Sequence, residues 1–382
     1  MSVAAEPRSR RTQLGVLTGA KVVSNTALRW VSPFLTTLER AFSTTTGTLT
    51  GIMGVSELAG LSTIATGPFL DRGHERRVFL FGLGAVSASS LIALIGTVPS
   101  FAVAFVVLIL GVSNLTVAGH TWIGHRVAFA ARGRAIGVFE MSWAVALLIG
   151  APILAWLIHL FGWRGPFVAL ALAALVAAAA VIRFVPRGST HHDDGIEPAR
   201  EPLPRSAWFP MLASATTAAA GLGTFVVVGA WLDDAYGVST GGLGVVAAGF
   251  GAVELASSTG VATVGDRIGA RRSVLIGLAG LLTGLGVMLA AGESRTLAIT
   301  GLLVFLTGFE FGFVSSLTLV SEAAPRARGR AIGISNACGT VSRASAVVAS
   351  GQLYETFGMT GTVTLAACAA TAAVGLTLAS SV

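Results

Sequence analysis

The residues able to do chemistry in this chain are a few ionisable side chains embedded in apolar sequence. Three bases, Lys21, Arg29 and Arg343, and four acids, Glu57, Glu140, Glu254 and Glu310, interrupt stretches that are otherwise almost wholly apolar. His120, Asn25 and Asn114 accompany them. If those stretches lie in hydrocarbon, each charge costs at least ~2.5 kcal/mol at mid-depth, so each needs a counter-charge, water or a proton. Three bases against four acids leave one carboxylate without an intramembrane cation. Such a carboxyl is protonated, hydrated or ion-bound. Desolvation raises its proton affinity, which a group that loads and releases protons near neutral pH requires. The candidates for proton coupling are Glu310, Glu254, Glu57, Arg343 and Glu140, and the plain alternative for each is a solvated cavity wall.

The elements that must carry these residues follow from composition. Of 382 residues 53% are hydrophobic and 11% charged, against roughly a quarter charged in a soluble domain. Apolar runs of about 20 residues recur, the length that crosses a hydrocarbon layer as a helix. Twelve spans are expected near 13–37, 47–70, 78–97, 101–124, 135–159, 164–185, 207–232, 241–264, 273–292, 296–320, 331–354 and 359–381. The fold class is therefore all-α integral membrane. Arg8, Arg10 and Arg11 before an apolar run look like a secretory leader, but Lys21 and Arg29 interrupt that run and no small-residue cleavage pattern follows, so it reads as a retained first span.

The net charge of +7 is a topology signal rather than a nucleic-acid one, because the basic residues cluster between apolar runs. With the N-terminus inside, 19 of the 25 basic residues fall on the cytoplasmic side, counting Arg183 at the inner end of its span, three (Arg40, Arg164, Arg295) on the outside and three (Lys21, Arg29, Arg343) deeper within spans. Both termini are expected in the cytoplasm and the chain in the cell inner (plasma) membrane. Cys338 and Cys368 lie in apolar segments and give neither a disulfide framework nor a metal site. The long polar stretch, 186–206, carries His191, His192, Asp193, Asp194 and Glu197. It reads as a flexible cytoplasmic linker, since two histidines beside two aspartates lack further ligands at fixed spacing.

The chain is duplicated. ARGRAIG at Ala131–Gly137 returns at Ala327–Gly333, an offset of 327 − 131 = 196; Asp71-Arg72 returns as Asp266-Arg267, 266 − 71 = 195; Phe161-Gly162 returns as Phe357-Gly358, 357 − 161 = 196. Equal numbers of spans flank these anchors, so the halves, 1–185 and 207–382, are parallel six-helix repeats.

GPFLDRGHERR (Gly67–Arg77) and VGDRIGARR (Val264–Arg272) resemble the loop signature G-x-x-x-D-R-x-G-x-R-R of the major facilitator superfamily. The RGRAIG loops and Gly162-Trp163-Arg164 with Phe167 resemble that family too, and the resemblance covers essentially the whole chain. In the first copy Gly73 comes one position early and His74 stands at the glycine position; in the second, Ala262 replaces the leading glycine. Gly150-Ala151-Pro152 is similar to part of the G-x-x-x-G-P signature of proton-driven antiporters, with a simple proline kink as the alternative.

The resemblance implies a cytoplasmic gate. Asp71 and Asp266 would sit against the positive N-termini of spans 11 and 5, with Arg72, Arg76, Arg77, Arg267, Arg271 and Arg272 around them or anchored to headgroups. It also implies that spans 1, 4, 7 and 10 line a central cavity, which makes Asn25, Arg29, Asn114, His120 and Glu310 substrate-cavity candidates. Glu57 could pair with Arg343 and Glu140 with Lys21, leaving Glu310 as the first proton-coupling candidate and Glu254 as the second. No G-x-S-x-G, P-loop, HExxH or CxxC pattern occurs, so no enzyme activity and no cofactor is expected. The expected function is secondary active transport of a small organic solute by a monomer, as proton-coupled export. Proton-coupled uptake of a metabolite or organic anion drawn to Arg29 is the alternative, sodium is a second candidate ion, and a non-transporting receptor or assembly factor on the same fold is the rival of another class.

Overall fold

The computed structural model describes residues 8–187, 203–260, 266–325 and 327–380, and every regular element among them is helical. The histidine and acidic residues of the linker lie outside the described residues, as does the side chain of Asp266.

Among the described residues, ten helical stretches are long and apolar enough to cross a membrane. One of them, Arg330–Ala379, is two spans parted at Gly358, where the backbone leaves helical geometry. The first span, Arg8–Arg29 continued by Leu35–Phe42, is not among the ten. Lys21, Arg29 and the arginines at its start dilute its apolar character. Ten, one and one make twelve, which completes an all-α integral membrane protein.

Several spans are broken, each for a local reason. Span 1 stops at Arg29 and resumes at Leu35 after a turn holding Pro33, whose missing N–H cannot continue the helix ladder. Span 2 runs Thr46–Glu57, tightens to a 3-10 turn at Leu58–Ser62 and continues as Thr63–Asp71. Span 7 divides into Trp208–Phe225 and Val228–Tyr236. Span 5 contains a π turn at Ala146–Gly150, next to Pro152, and such turns insert a residue into the ladder and rotate everything beyond.

The duplication reaches down to backbone angles. Gly162 (φ 64°, ψ −166°) and Gly358 (φ 61°, ψ −155°) adopt the same conformation, one that side chains other than glycine's hydrogen do not tolerate. Three residues on, a Cβ at Gly165 would stand 2.8 Å from the Leu157 carbonyl oxygen, and one at Gly361 would stand 2.8 Å from that of Leu353. The Phe-Gly repeat in the sequence is thus the trace of a sharp turn used twice.

The described residues group into two compact units, one drawn from 1–31 and 59–196, the other from 32–58 and 197–382. This division differs from the repeat halves, since the end of span 1 and the start of span 2 group with the second repeat. In the first unit span 3 packs on spans 4 and 6, and span 1 on spans 5 and 6. Gly82 lets span 3 approach the Gly111 carbonyl of span 4, the small-residue contact by which helices associate in lipid. Phe79, Leu83, Leu115, Trp122 and Phe139 fill the core beneath. In the second unit Gly277, Gly284 and Gly308 bring spans 9 and 10 equally close. Outward-facing side chains such as Val176 and Val245, each 70% exposed, form the apolar surface a lipid environment demands.

Candidate functional site

Span 1 presents Lys21, Asn25 and Arg29 at four-residue spacing, hence on one face, and in the first unit that face meets span 5. Lys21 Nζ and His120 Nε2 both lie 2.6 Å from the same oxygen, Glu140 Oε1. Lys21 is 2% exposed, whereas the His120 and Glu140 side chains are 41% and 43% exposed. The ammonium is sealed beneath, and the imidazole and carboxylate are open. Phe139 seals it, with Lys21 Nζ 4.2 Å from the ring centre and His120 edge-on at 5.5 Å. A side chain at Gly119 would collide with that ring, so span 4 must carry glycine there for His120 to reach Glu140.

A nitrogen and an oxygen 2.6 Å apart share a proton, so the His120–Glu140 contact holds one. With neutral imidazole the trio of Lys21, Glu140 and His120 carries no net charge. One further proton makes it +1.

One turn further along, Asn25 Nδ2 donates to Ser142 Oγ at 3.1 Å, and Ser142 Oγ donates to the Phe139 carbonyl at 2.6 Å. Arg29 Nη1 donates to the Trp143 carbonyl at 2.7 Å, and its guanidinium lies 4.2 Å over the Trp143 ring. Arg29 is 6% exposed, so this guanidinium is engaged by span 5 just before the π turn. Thr26 fills the space beside Gly150 inside that turn.

The other sequence candidates are distributed as follows. Asn114 is 1% exposed, donating to Ser62 Oγ at 3.0 Å and the Leu110 carbonyl at 2.9 Å while accepting from Thr66 Oγ1 at 2.7 Å. It ties span 4 to span 2, a typical use of a carboxamide between membrane helices. In the second unit Arg343 Nη2 lies 3.3 Å from Glu57 Oε2. Glu254 and Glu310 are 2% and 7% exposed, Glu310 on a span whose Phe305, Phe309 and Phe313 rings stack in a column.

In the basic loops, Asp71, Arg72 and Arg77 are exposed, as are Arg267 and Arg272. Gly73 takes φ 78° and Gly269 φ 87°, so the glycine that comes early in the first copy still supplies the left-handed residue its loop needs. Arg76 and Arg271 do something the loop signature does not announce. Arg76 Nη2 donates to the Ile182 carbonyl at 2.7 Å and Arg271 Nη2 to the Leu378 carbonyl at 2.5 Å. Donors and acceptors are equivalent in the repeats, 271 − 76 = 195 and 378 − 182 = 196. Each arginine neutralises the carbonyl end of the last span of its repeat, where the helix dipole favours a cation.

Sequence reasoning missed two clusters. Glu75, 1% exposed, contacts His125 Nδ1 and stands 3.5 Å from Arg126 Nη1. In the second unit, Glu39, Asp233, Asp234, Tyr354 and Glu355 gather. Subtracting one repeat from the other would have found the first: Glu75 faces Ala270 at offset 195, and His125 and Arg126 face Ser321 and Glu322 at offset 196.

A sequence model of the Major Facilitator Superfamily matches residues 17–232 and 211–380. The MFS-type transporter YceJ of Bacillus subtilis (strain 168) is 26% identical over 347 residues, 87% of each chain. A chloramphenicol resistance protein of Streptomyces lividans is 28% identical over 295 residues, 75% of this chain and 73% of that one. Among solved structures, a D-xylose–proton symporter has TM-score 0.76 at 15% identity, covering 95% of this chain and 96% of that one. A bacterial homolog of the human lysosomal transporter Spinster has TM-score 0.74 at 14% identity, covering 98% and 95%.

Proposed function

The chain belongs to the Major Facilitator Superfamily, and from that premise we propose that it couples inward proton movement to the export of a small organic solute. It is a secondary transporter of that type, a multi-pass membrane protein rather than an enzyme. The observation that carries the finer reading is the trio of the first unit, with Lys21 sealed and His120 and Glu140 open around one shared oxygen. A proton added there turns a neutral group into a cation inside an apolar bundle, and that change favours whichever conformation gives the trio water. Lys21 anchors the shared Glu140 oxygen, and in this reading His120 and Glu140 are the groups through which the proton passes.

Export is supported by the Streptomyces lividans relative, whose name assigns it chloramphenicol resistance, and by the Pro152 and π-turn region of span 5. Uptake of an anion drawn to Arg29 loses ground, because the Trp143 carbonyl and ring occupy that guanidinium. The orientation that accompanies this reading puts the basic loops and both termini in the cytoplasm of a plasma membrane, with solute and proton as exchanging partners of a monomer.

The test is transport by the purified protein in proteoliposomes under an imposed pH gradient, with a panel of amphiphilic compounds that includes chloramphenicol. Uphill movement of a compound opposite to the proton flow is expected. Movement with the protons would establish the uptake reading instead, and no gradient-driven movement of any compound would remove proton coupling.

A further inference from the structure

Both of the chain's tyrosines line one recess of the second unit. Its walls are the end of span 7, Val228–Tyr236; the end of span 9 with the turn behind it, residues 288–292; and the Phe357-Gly358 turn between spans 11 and 12. All three belong to the second unit, and they meet at the end of span 9 opposite to Arg271. The cavity measures about 410 Å³, a size that suits an organic molecule and that a bare metal ion would leave empty.

Four aromatic rings face this space, those of Trp231, Tyr236, Tyr354 and Phe357. Trp231 and Tyr236 stand edge to face, 5.4 Å apart at 81°, so they form two walls of a corner. Hydrogen bonds fix the tyrosines: Tyr236 donates to the Gly292 carbonyl at 3.0 Å and Tyr354 to Asp234 Oδ2 at 2.8 Å. Rings held in advance spare a ligand the cost of ordering them. Asp234 is exposed at the rim. Among the described residues it forms no ion pair with a lysine or arginine, whereas Asp233 beside it takes Arg40 at 2.7 Å. No basic side chain lines the recess among the described residues, and Asp233, Glu39 and Glu355 stand close by.

The repeats separate these groups from the scaffold. At the offset of 196, Trp231, Asp234, Tyr236 and Tyr354 correspond to Leu35, Leu38, Arg40 and Ile158, while Phe357-Gly358 corresponds to Phe161-Gly162. The turn is needed in both halves. The other rings and the acid occur in one, so packing of the shared scaffold does not call for them.

We propose that this recess binds a soluble organic ammonium, with its carbon substituents against the rings and its charge over their π faces beside Asp234. Aromatic faces carry negative potential and a carboxylate adds a full charge, so a cation gains from both. An anion would meet Asp234 and its neighbouring carboxylates. A phospholipid headgroup would bring its phosphate against the same acids, which favours a free cation over a lipid. The recess shares no residue with the trio of the first unit, and its occupancy needs neither a gradient nor transport. Failure here would therefore leave the export reading standing, and the reverse.

The test is isothermal titration of the full-length protein in lipid-free maltoside micelles with benzyltrimethylammonium, using benzyl alcohol and benzenesulfonate as uncharged and anionic counterparts. Saturable binding of the cation below about 1 mM is expected, at least ~10-fold tighter than either counterpart. Asp234→Asn keeps an oxygen for the Tyr354 hydroxyl and removes the charge, and should weaken binding at least ~10-fold. Thr360→Lys, which brings a cation to an exposed position on the lining, should do the same. Tyr236→Leu should weaken binding about 3-fold, and Tyr236→Phe, which keeps the ring, should recover most of that loss. An affinity unchanged in Asp234→Asn or in Thr360→Lys would place the cation elsewhere. No binding by the parent would leave the rings as interfacial anchors, and displacement by added phosphatidylcholine would give the site to a lipid headgroup. Each of these three results overturns the proposal.

Discussion

The two repeats share a scaffold and differ in chemistry. Lys21, Asn25 and Arg29 of span 1 correspond, 196 residues on, to Thr217, Gly221 and Phe225 of span 7; His120 corresponds to Ser316 and Glu140 to Asn336. Every member of the charged trio is uncharged in the second copy, where Ser316 Oγ donates to Ser214 Oγ at 2.8 Å. The Phe-Gly turns and the arginine caps, by contrast, are kept in both. Features that hold helices in place are needed twice because the same packing problem is solved twice. A proton site of the kind proposed would be needed once, and a second set of charges within the spans would cost several kcal/mol without adding work.

The sharpest way to break this comparison is to remove the corresponding charges. Glu140→Gln should lower gradient-driven transport at least ~10-fold while exchange without a gradient persists, because glutamine keeps the volume and loses the ionisable oxygen. Glu310→Gln, at the position equivalent to Asn114 in the first repeat, should change coupling by less than about 3-fold. Proteoliposome flux with and without a pH gradient measures both. The reverse result would move the proton site to the second repeat.

Stability gives the next largest effect. Glu75 is buried against His125 and Arg126, and removing one partner of a buried ion network costs about 3–5 kcal/mol. Glu57 is 23% exposed in its pair with Arg343, and a partly solvated pair contributes about 1 kcal/mol or less. Glu75→Ala should therefore lower the melting temperature in detergent far more than Glu57→Ala. Equal shifts would mean that the first repeat's extra charges are not structurally committed.

What could be read beforehand divides along the same physical line. Twelve spans and the duplication were legible, because a run of about 20 apolar residues is required by the hydrocarbon thickness whatever it packs against. Partners were less legible. Each residue turns about 100° around a helix, and Pro33, the 3-10 turn at 58–62 and the π turn at 146–150 reset that rotation. Depth was enough to suggest Lys21 with Glu140, and the family resemblance suggested Glu57 with Arg343, pairs that the structure brings together. Neither spoke to His120 joining the first pair, nor to the cluster of Glu39, Asp234 and Glu355, whose members come from three distant segments with no common spacing. Asn114, a cavity candidate by the family resemblance, hydrogen-bonds to Ser62, Thr66 and Leu110 of its own unit.

The smallest effect tests the shared scaffold itself. Arg76 and Arg271 were grouped by motif with the gate, yet each donates to a carbonyl at the end of span 6 or span 12 within its own unit. A cation at a helix C-terminus contributes about 0.3–1 kcal/mol when exposed. Arg76→Ala and Arg271→Ala should each lower stability by about that amount, and the double variant by about the sum, since the two sites share no partner. Lysine, which also carries a donor and a charge, should restore part of the loss in either place. Thermal unfolding measures this series, and flux measured in parallel separates a cap from a gate, because a cap changes flux only through the amount of folded protein. If Arg76→Ala slowed flux per folded molecule several-fold while Arg271→Ala did not, the symmetry of the scaffold would fail at this point, and the first loop would carry a gating role that the second lacks.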